Sequence, residues 1–364
     1  MKQQSFKILL SCALLLVGLG YGCRKDKAPQ ENVPTCNDGI KNGNEIFVDC
    51  GLNKDEHCGS SACSVNIQVI EELNSSNSSI TESKCEYIAE DKYGNVWIST
   101  YANGGLYKYD GQRWINYDST QSGLLQRITS ILVASDSTMW LTSSYFLYQY
   151  DGINWTTFSR DSIGAPFSSG FGGLLEASTG EIYFTSSTEL IRYDGTTFTE
   201  FNFPQGIKPY TQDYSSPLID CNDNIYIETE AKGLLMYSNG NGISLITKDN
   251  SNLVDNDIWG FVLDNDCNVW GQNDSRVVEV KSGNFIFQTE ENSVEYTGTI
   301  QKTLTENGHI MTQKGIIWDK KFPVFFQRKS TGENFEYNQV IYKDSCFWFT
   351  TDYGVVKATI LFDE

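Results

Sequence analysis

The clearest internal repeat unit of this chain reads EDKYGNVWIST over Glu90–Thr100 and continues as GLYKYDGQRW over Gly105–Trp114. Similar units return about every 43 residues along most of the sequence. Alignment of the units on Trp97 identifies one equivalent residue in each of seven units, here called the anchor: Trp97, Trp140, Tyr183, Tyr226, Trp270, Met311 and Trp348. A fixed period of this length is typical of repeat architectures, in which each unit is one supersecondary element.

Each unit contains four short apolar runs separated by turn signals. In the second unit these runs are Ile128 to Ala134, Met139 to Thr142, Phe146 to Tyr150 and Trp155 to Phe158. An Asp-Gly pair, such as Asp151-Gly152, follows the third run and is a strong hairpin signal. Four antiparallel strands per unit predict an all-β fold, a seven-bladed β-propeller whose blades pack on both faces.

The two ends of the repeat region predict how the ring closes. The last unit, Val340 to Ile360, contains only three strands, and Val65–Glu71 stands just before the first unit. We expect this N-terminal strand to complete the last blade, because closure removes exposed strand edges. The sixth unit is degenerate around Met311, which leaves six blades with an irregular insert as the alternative.

These units resemble the two-component regulator propeller repeats, known from sensor ectodomains of bacterial signalling proteins. The resemblance covers residues 65–360 and is most specific in the first three units. It implies a propeller fold and an extracytoplasmic setting. No kinase-like region or later apolar run of about 20 residues accompanies the repeats, so the resemblance does not imply a sensor kinase.

The N-terminal residues are interpreted as an export signal. Lys2 and Lys7 precede an apolar run, Ile8–Leu19, which is short for a transmembrane helix. The following Gly20-Tyr21-Gly22-Cys23 resembles the lipobox of bacterial lipoproteins. This resemblance implies a signal peptide over residues 1–22, a Cys23 lipidated with acyl chains such as palmitate, and an outer-membrane location in a Gram-negative bacterium, on the periplasmic side or the cell surface. The alternative is an ordinary cleaved signal with a free Cys23.

Residues 23–35 read as a charged tether, and residues 36–63 as a small disulfide-rich module before the propeller at residues 64–364. The segment Cys36–Gly51 resembles a Cys-Asp-Gly-Ile-x-Asn-Gly module found between the anchor and the body of secreted bacterial proteins. Four cysteines within residues 36–63 are candidates for disulfides: Cys36, Cys50, Cys58 and Cys63. Four cysteines allow three connectivities, which stay open. Cys221 and Cys267, near the same turn of adjacent units, are candidates for a bridge between blades, with free buried thiols as the alternative.

Oxygen-bearing side chains crowd the same module: Asp38, Asn42, Asn44, Glu45 and Asp49. Calcium prefers such ligands, so a calcium site is one hypothesis; ordinary Asp-Gly and Asn-Gly turns are the alternative. No other cofactor is expected.

The formal net charge of −19 disfavours nucleic acid as a partner. We expect a monomeric propeller held at the membrane by its lipid.

Loops at one end of the propeller carry aromatic and polar residues that suit a sugar, a peptide or an outer-membrane protein. The candidate ligand-binding residues are Tyr101, Asn103, Arg127, Tyr145, Tyr210, Tyr214, Lys232, Trp259, Arg276 and Tyr353. A related propeller family cleaves a cyclic antibiotic through histidines, but this chain has only His57 and His309. No catalytic residue is predicted. The sequence favours a non-enzymatic recognition or scaffold module, with a carboxylate-dependent glycan hydrolase or lyase as the alternative.

Overall fold

A computed structural model describes most of the predicted propeller and short pieces before it. The described ranges are 45–47, 50–53, 56–57, 64–81, 84–101, 105–117, 123–124, 127–164, 170–210, 217–263, 267–273, 276–281, 284–287, 300–304, 310–312, 315–318, 322–328, 337–343 and 346–361. Before the propeller, three strands form one small antiparallel sheet: β1 (Glu45–Phe47), β2 (Cys50–Asn53) and β3 (Glu56–His57). The predicted signal peptide, Cys23, the tether, Cys36, Cys58 and Cys63 lie outside these ranges, as do Asp38, Asn42, Asn44 and Asp49.

The first five blades are separate four-stranded antiparallel sheets. The first two blades contain β5 (Cys85–Glu90), β6 (Val96–Thr100), β7 (Leu106–Tyr109), β8 (Trp114–Tyr117), β9 (Ile128–Val133), β10 (Met139–Ser143), β11 (Phe146–Tyr150) and β12 (Trp155–Ser159). A one-turn helix, α1 (Arg160–Ile163), follows the second blade. The next three contain β13 (Leu174–Glu176), β14 (Ile182–Thr185), β15 (Glu189–Tyr193), β16 (Phe198–Asn202), β17 (Leu218–Ile219), β18 (Ile225–Glu228), β19 (Leu234–Ser238), β20 (Gly242–Ile246), β21 (Ile258–Leu263), β22 (Val269–Asn273), β23 (Arg276–Lys281) and β24 (Asn284–Phe287).

The sixth and seventh blades share one eight-stranded sheet, joined through an N-terminal strand, β4 (Ser64–Leu73). The sixth blade has four strands, which excludes the six-blade alternative: β25 (Ile300–Leu304), β26 (Ile310–Thr312), β27 (Gly315–Trp318) and β28 (Phe322–Arg328). The seventh has β29 (Gln339–Lys343), β30 (Cys346–Thr351) and β31 (Gly354–Leu361). β4 pairs antiparallel with β31, as the closure hypothesis expects, and its first residues also pair parallel with β28.

The innermost strands of the seven blades contact one another in sequence and close the ring from the seventh blade to the first. The seven-bladed β-propeller predicted from the repeats is therefore confirmed. Within the described ranges, no helix has both the length and the apolar character needed to cross a bilayer.

The anchor aromatics pack between blades. Trp97 is 1% exposed, and its ring centroid lies 5.9 Å from that of Tyr150 in the next blade. The same arrangement recurs at other interfaces, where the tyrosine is the last or the penultimate residue of the third strand: Trp140 with Tyr193 at 5.6 Å, Tyr183 with Tyr237 at 5.7 Å and Trp348 with Tyr109 at 5.5 Å. The repeat motif thus encodes contacts between units as well as within them.

The turn motif that precedes each anchor has a structural explanation in the first blade. The Asp91 carboxylate accepts hydrogen bonds from the backbone of Tyr93 and Asn95, from the Asn95 side chain, and from Trp97 Nε1 at 2.8 Å. Gly94 takes a left-handed φ of 77°, which glycine adopts without strain. Asp220 repeats the pattern in the fourth blade and accepts from the Tyr226 hydroxyl at 3.1 Å. Asp91 and Asp220 therefore stabilise the turns between the first and second strands, at the end of the ring opposite to the loops between the second and third strands.

Candidate functional site

One end of the ring, here called the upper face, gathers two sets of loops. These are the loops between the second and third strands of each blade and the connections from one blade to the next. Six candidate residues with described side chains lie in or beside such loops: Tyr101, Arg127, Tyr145, Tyr210, Lys232 and Tyr353. Asn103 and Tyr214 lie outside the described residues. Trp259 and Arg276 have a described backbone only, in β21 and at the start of β23.

The first upper-face cluster is built around Tyr101, whose side chain is 49% exposed. The Arg127 guanidinium lies 4.3 Å from the centre of the Tyr101 ring, and Lys84 Nζ lies 4.9 Å from it. Arg127 Nε and Nη2 donate to the two carboxylate oxygens of Glu86 at 2.8 and 2.7 Å. Because bidentate pairs are directional and strong, Glu86 fixes the guanidinium and, through it, the ring. The structure thus brings together two predicted residues, Tyr101 and Arg127.

Glu86 is a site residue that the sequence analysis missed. It is 5% exposed and lies on β5, the innermost strand of the first blade. The available signal was an acidic side chain in a strand that is otherwise largely buried. Its partner comes from the connection to the next blade, 41 residues away, so strand pattern alone does not identify the pair.

The second cluster joins Tyr145 to Arg160, another residue that the sequence analysis missed. Tyr145 lies in the turn between β10 and β11 and is 52% exposed, whereas Arg160, at the start of α1, is 4% exposed. The Arg160 guanidinium lies 5.1 Å from the Tyr145 ring centre and 5.3 Å from that of Phe171. Arg160 Nη2 donates to the Ser144 carbonyl at 2.8 Å. Burial lowers the pKa of Arg160, an effect that Tyr145 partly offsets.

The helix that carries Arg160 is a single turn with local caps. The Ser159 hydroxyl accepts from the Ser162 backbone N–H at the N-terminus, and Gly164 ends the turn with a left-handed φ of 86°. Ile163 packs into the core of the third blade. The turn is therefore attached to both neighbouring blades, and it holds the Arg160 backbone in place.

The third cluster lies above the fourth blade. The backbone of Tyr210 donates to the Glu228 carbonyl at 2.9 Å, and the backbone of Lys232 donates to Thr229 Oγ1 at 3.1 Å. Glu228, 5% exposed, accepts from the Gly260 backbone N–H at 2.6 Å and so links this loop to the fifth blade. Tyr210 and Lys232 are both exposed on this fixed backbone. Tyr353, in the β30–β31 turn, is 81% exposed.

One pair of carboxylates stands out beside the upper face. Glu189, at the start of β15, is 4% exposed, and burial together with the neighbouring Glu200 raises its pKa. A raised carboxyl pKa beside a second carboxyl is a pattern seen in acid–base catalysis. His309 lies outside the described residues, and only the backbone of His57 is described. Among the residues that the structure describes, no three His, Cys, Asp or Glu side chains cluster as a metal site would require.

Comparison with known proteins gives the fold and no closer relationship. No protein-family model matches the chain, and no curated protein matches it. Virginiamycin B lyase from Staphylococcus aureus, solved as a catalytically inactive histidine-to-alanine form with quinupristin, is 15% identical, with a TM-score of 0.59 over 82% of this chain and 100% of its own. At this identity the likeness concerns the propeller fold alone.

Two other similar structures are extracellular or surface proteins. The extracellular domain of a putative hybrid two-component system from B. thetaiotaomicron is 16% identical, with a TM-score of 0.62, covering 80% of this chain and 41% of that one. PorZ, a surface component of the type-IX secretion system of Porphyromonas gingivalis, is 13% identical, with a TM-score of 0.58, covering 80% and 47%. The chain therefore spans less than half the length of these two. Their fold agrees with the resemblance to two-component regulator propellers.

Proposed function

We propose that this protein is a lipid-anchored, extracytoplasmic recognition module whose upper face binds a glycan, a peptide or a partner protein without chemically changing it. The observation that carries the proposal is the repeated presentation of exposed tyrosines on fixed supports. Tyr101 lies on Arg127, which is held by Glu86, and Tyr145 lies on buried Arg160. Rings held in this way are flat apolar surfaces that lose little conformational entropy on binding.

The extracytoplasmic part of the proposal rests on independent features. The Cys221–Cys267 disulfide suits an oxidising compartment, and the lipobox-like residues before Cys23 suit attachment to a membrane. The extracellular domain and the surface component among the similar structures support the same setting. Labelling with a palmitate analogue tests the anchor: the wild type should incorporate label, and Cys23→Ala should not.

The distribution of the exposed tyrosines favours recognition over catalysis. The clusters extend across the first, second and fourth blades, whereas a catalytic site concentrates its reacting groups at one point. The Asp91 and Asp220 carboxylates are engaged in turns at the other end of the ring. Binding spread over several blades suits an extended ligand.

Melting of the full-length protein in detergent, against a panel of oligosaccharides and peptides, tests the proposal. A ligand that binds only the folded state raises the melting temperature by mass action. We expect Tyr101→Ala or Tyr145→Ala to reduce that shift. Tyr93→Ala is the matched control, because Tyr93 is 73% exposed beside Lys92 but lies in a turn at the opposite end. A shift that all three variants retain would place the ligand elsewhere.

A carboxylate-dependent glycan hydrolase or lyase is the second candidate, favoured only by the Glu189–Glu200 pair. Its test is the release of new reducing ends from the same oligosaccharides. Product that disappears in Glu189→Gln while the fold is retained would support the enzyme. Intact oligosaccharide after prolonged incubation with the wild type would exclude it for that panel.

A further inference from the structure

Arg160 is a buried cation whose hydrogen-bonding capacity is mostly unused. Its Nε and Nη1 atoms are buried and have no hydrogen-bond partner. Only Nη2 is engaged, by the Ser144 carbonyl. Buried polar groups are nearly always hydrogen-bonded, and a buried charge without a counter-ion is costly. The side chain thus keeps two strong donors available in a low-dielectric environment.

The first upper-face cluster contains a comparable guanidinium that does have a counter-ion. Arg127 lies on the same face, also stacks against an exposed tyrosine, and is paired with Glu86 through two short hydrogen bonds. Arg160 has the aromatic contact, with Tyr145, but no equivalent of Glu86. In the described part of the chain, no carboxylate accepts a hydrogen bond from its guanidinium. The described residues therefore leave the Arg160 guanidinium without a counter-ion, which a bound anion can supply.

We propose that Arg160 binds the carboxylate of an acidic sugar, with the sugar ring stacked on Tyr145. This inference rests on the proposed recognition function and names its ligand class. A carboxylate accepts strong charge-assisted hydrogen bonds from a guanidinium, and the exposed tyrosine ring gives the sugar an apolar surface beside that contact. The site is a uronate subsite between the second and third blades.

The proposal requires the ligand to approach the guanidinium from the Tyr145 side. Phe171, on which Arg160 also lies, is 2% exposed and packs in the core of the third blade, whereas Tyr145 is 52% exposed on a short turn. The proposal requires the Tyr145 side chain to rotate away from Arg160, which its exposed position on a short turn permits. In the proposed complex, the Tyr145 ring stacks on the bound sugar.

The net charge of the chain further restricts the class of ligand that fits this site. With a formal net charge of −19, the protein repels polyanions and strongly acidic proteins at long range. A short uronate oligosaccharide carries few charges, meets less of this repulsion than a long polyanion, and still places one carboxylate against Arg160. These facts favour uronate oligosaccharides over acidic protein partners.

The experiment compares tetramers of galacturonate, glucuronate and mannuronate with the same tetramers after reduction of the carboxyl groups, by calorimetry on the full-length protein in detergent. We expect at least one acidic tetramer to bind, and its reduced form to bind about tenfold more weakly or not at all, because the charge-assisted pair is lost. Arg160→Gln should lose affinity to a similar extent. The control Arg113→Gln removes the same charge from an exposed residue in a turn at the opposite end and should bind as the wild type does.

Several outcomes would overturn the inference. They are no binding of any acidic tetramer, equal binding of acidic and reduced tetramers, or unchanged binding by Arg160→Gln. If Arg160→Gln does not fold, the comparison of acidic with reduced tetramers on the wild type still decides the question. Neutral sugars or peptides that bind through Tyr101 while uronates do not would remove the uronate subsite and leave the proposed recognition function in place.

Discussion

Cys221 in the fourth blade is bonded to Cys267 in the fifth, with their Cα atoms 5.9 Å apart. One interface earlier, Ser178 and Asp223 occupy the equivalent turn positions, and the Ser178 backbone and hydroxyl donate to the Asp223 carboxylate at 2.8 and 2.6 Å. The disulfide therefore replaces a hydrogen-bonded contact that the repeat already provides. The bridge hypothesis drawn from the spacing of the two cysteines is confirmed, and free thiols at these positions are excluded.

Removing this bridge should destabilise the propeller. A loop of 46 residues corresponds to a loss of about 4 kcal/mol in the unfolding free energy on the chain-entropy model. Cys267 has a left-handed φ of 64°, where the first blade has Gly94. We therefore expect Cys221→Ser with Cys267→Gly to melt higher than Cys221→Ser with Cys267→Ser. Equal melting temperatures for the two double variants would contradict the backbone argument.

Asp91→Asn should destabilise the first blade in a pH-dependent way. Burial would raise the pKa of Asp91, but hydrogen bonds from Trp97, Asn95 and Tyr93 outweigh it and hold the pKa below its usual range. A lowered folded-state pKa contributes stability that is present above the unfolded value of about 3.9 and is lost as the pH falls toward the folded value. The variant should lose about 1–3 kcal/mol at pH 7, because Trp97 Nε1 loses its acceptor. The difference between wild type and variant, measured by urea unfolding, should shrink below about pH 4.

Glu189→Gln should have the opposite pH dependence. The folded-state pKa of Glu189 is raised by burial and by Glu200, so ionisation at neutral pH opposes folding. This cost is absent below the unfolded pKa of about 4.3 and grows as the pH rises through the folded value. The variant should melt higher than the wild type at pH 7.5 and equally at pH 3.5. An exposed control, Glu200→Gln, should show a smaller gain through relief of the same repulsion.

The substitution Glu86→Gln should destabilise the first blade more than the same substitution at an exposed glutamate would. Glu86 is 5% exposed and pairs with Arg127, so its loss leaves a partly buried guanidinium without its counter-ion, at a cost of roughly 3–5 kcal/mol. Arg127→Met in the same chain should recover part of that loss, because the pair is then removed together. A double-mutant cycle of unfolding free energies measures the coupling, and additive losses would argue against a working pair.

Deleting the N-terminal strand tests the closure of the ring. A protein that lacks Ser64–Leu73 should melt lower and with a broader transition, because β31 loses its partner and β28 loses its parallel edge contact. The matched control begins at Ser64 and keeps the whole strand. Equal stability of the two truncated proteins would contradict closure by β4.

The sequence predicted the elements that repeat, and the structure confirms them. The anchors around Trp97, the Asp-Gly hairpins, the seven blades and the closing strand all come from patterns that recur within the chain. Asp136, the aspartate of the corresponding turn in the second blade, lies two positions later relative to its anchor than Asp91 does and, among the described residues, accepts only from the Thr138 backbone. The turn is conserved in shape although its hydrogen-bonding residues differ.

The sequence did not predict the features that occur once. Glu86 and Arg160 belong to no repeated pattern, and their partners come from a different blade or from a loop outside the four strands. Arg160 lies on a single helical turn, too short to show periodicity. Tyr101 and Tyr145 were predicted as loop aromatics, but the cations that support them depend on how neighbouring blades pack. Site-specific chemistry in this propeller therefore arises where the repeat is broken.

The position of β4 also sets the order in which the ring can be completed. Ser64–Leu73 leaves the ribosome before any blade, yet its antiparallel partner, Gly354–Leu361, is made almost 300 residues later. Until then the strand has only the short parallel edge of β28 to join, and the seventh blade lacks its fourth strand. Such long-range pairing is slow, and unpaired strand edges aggregate. The folding chain is therefore exposed to aggregation until β4 and β31 meet, which makes the last step of folding the most vulnerable one.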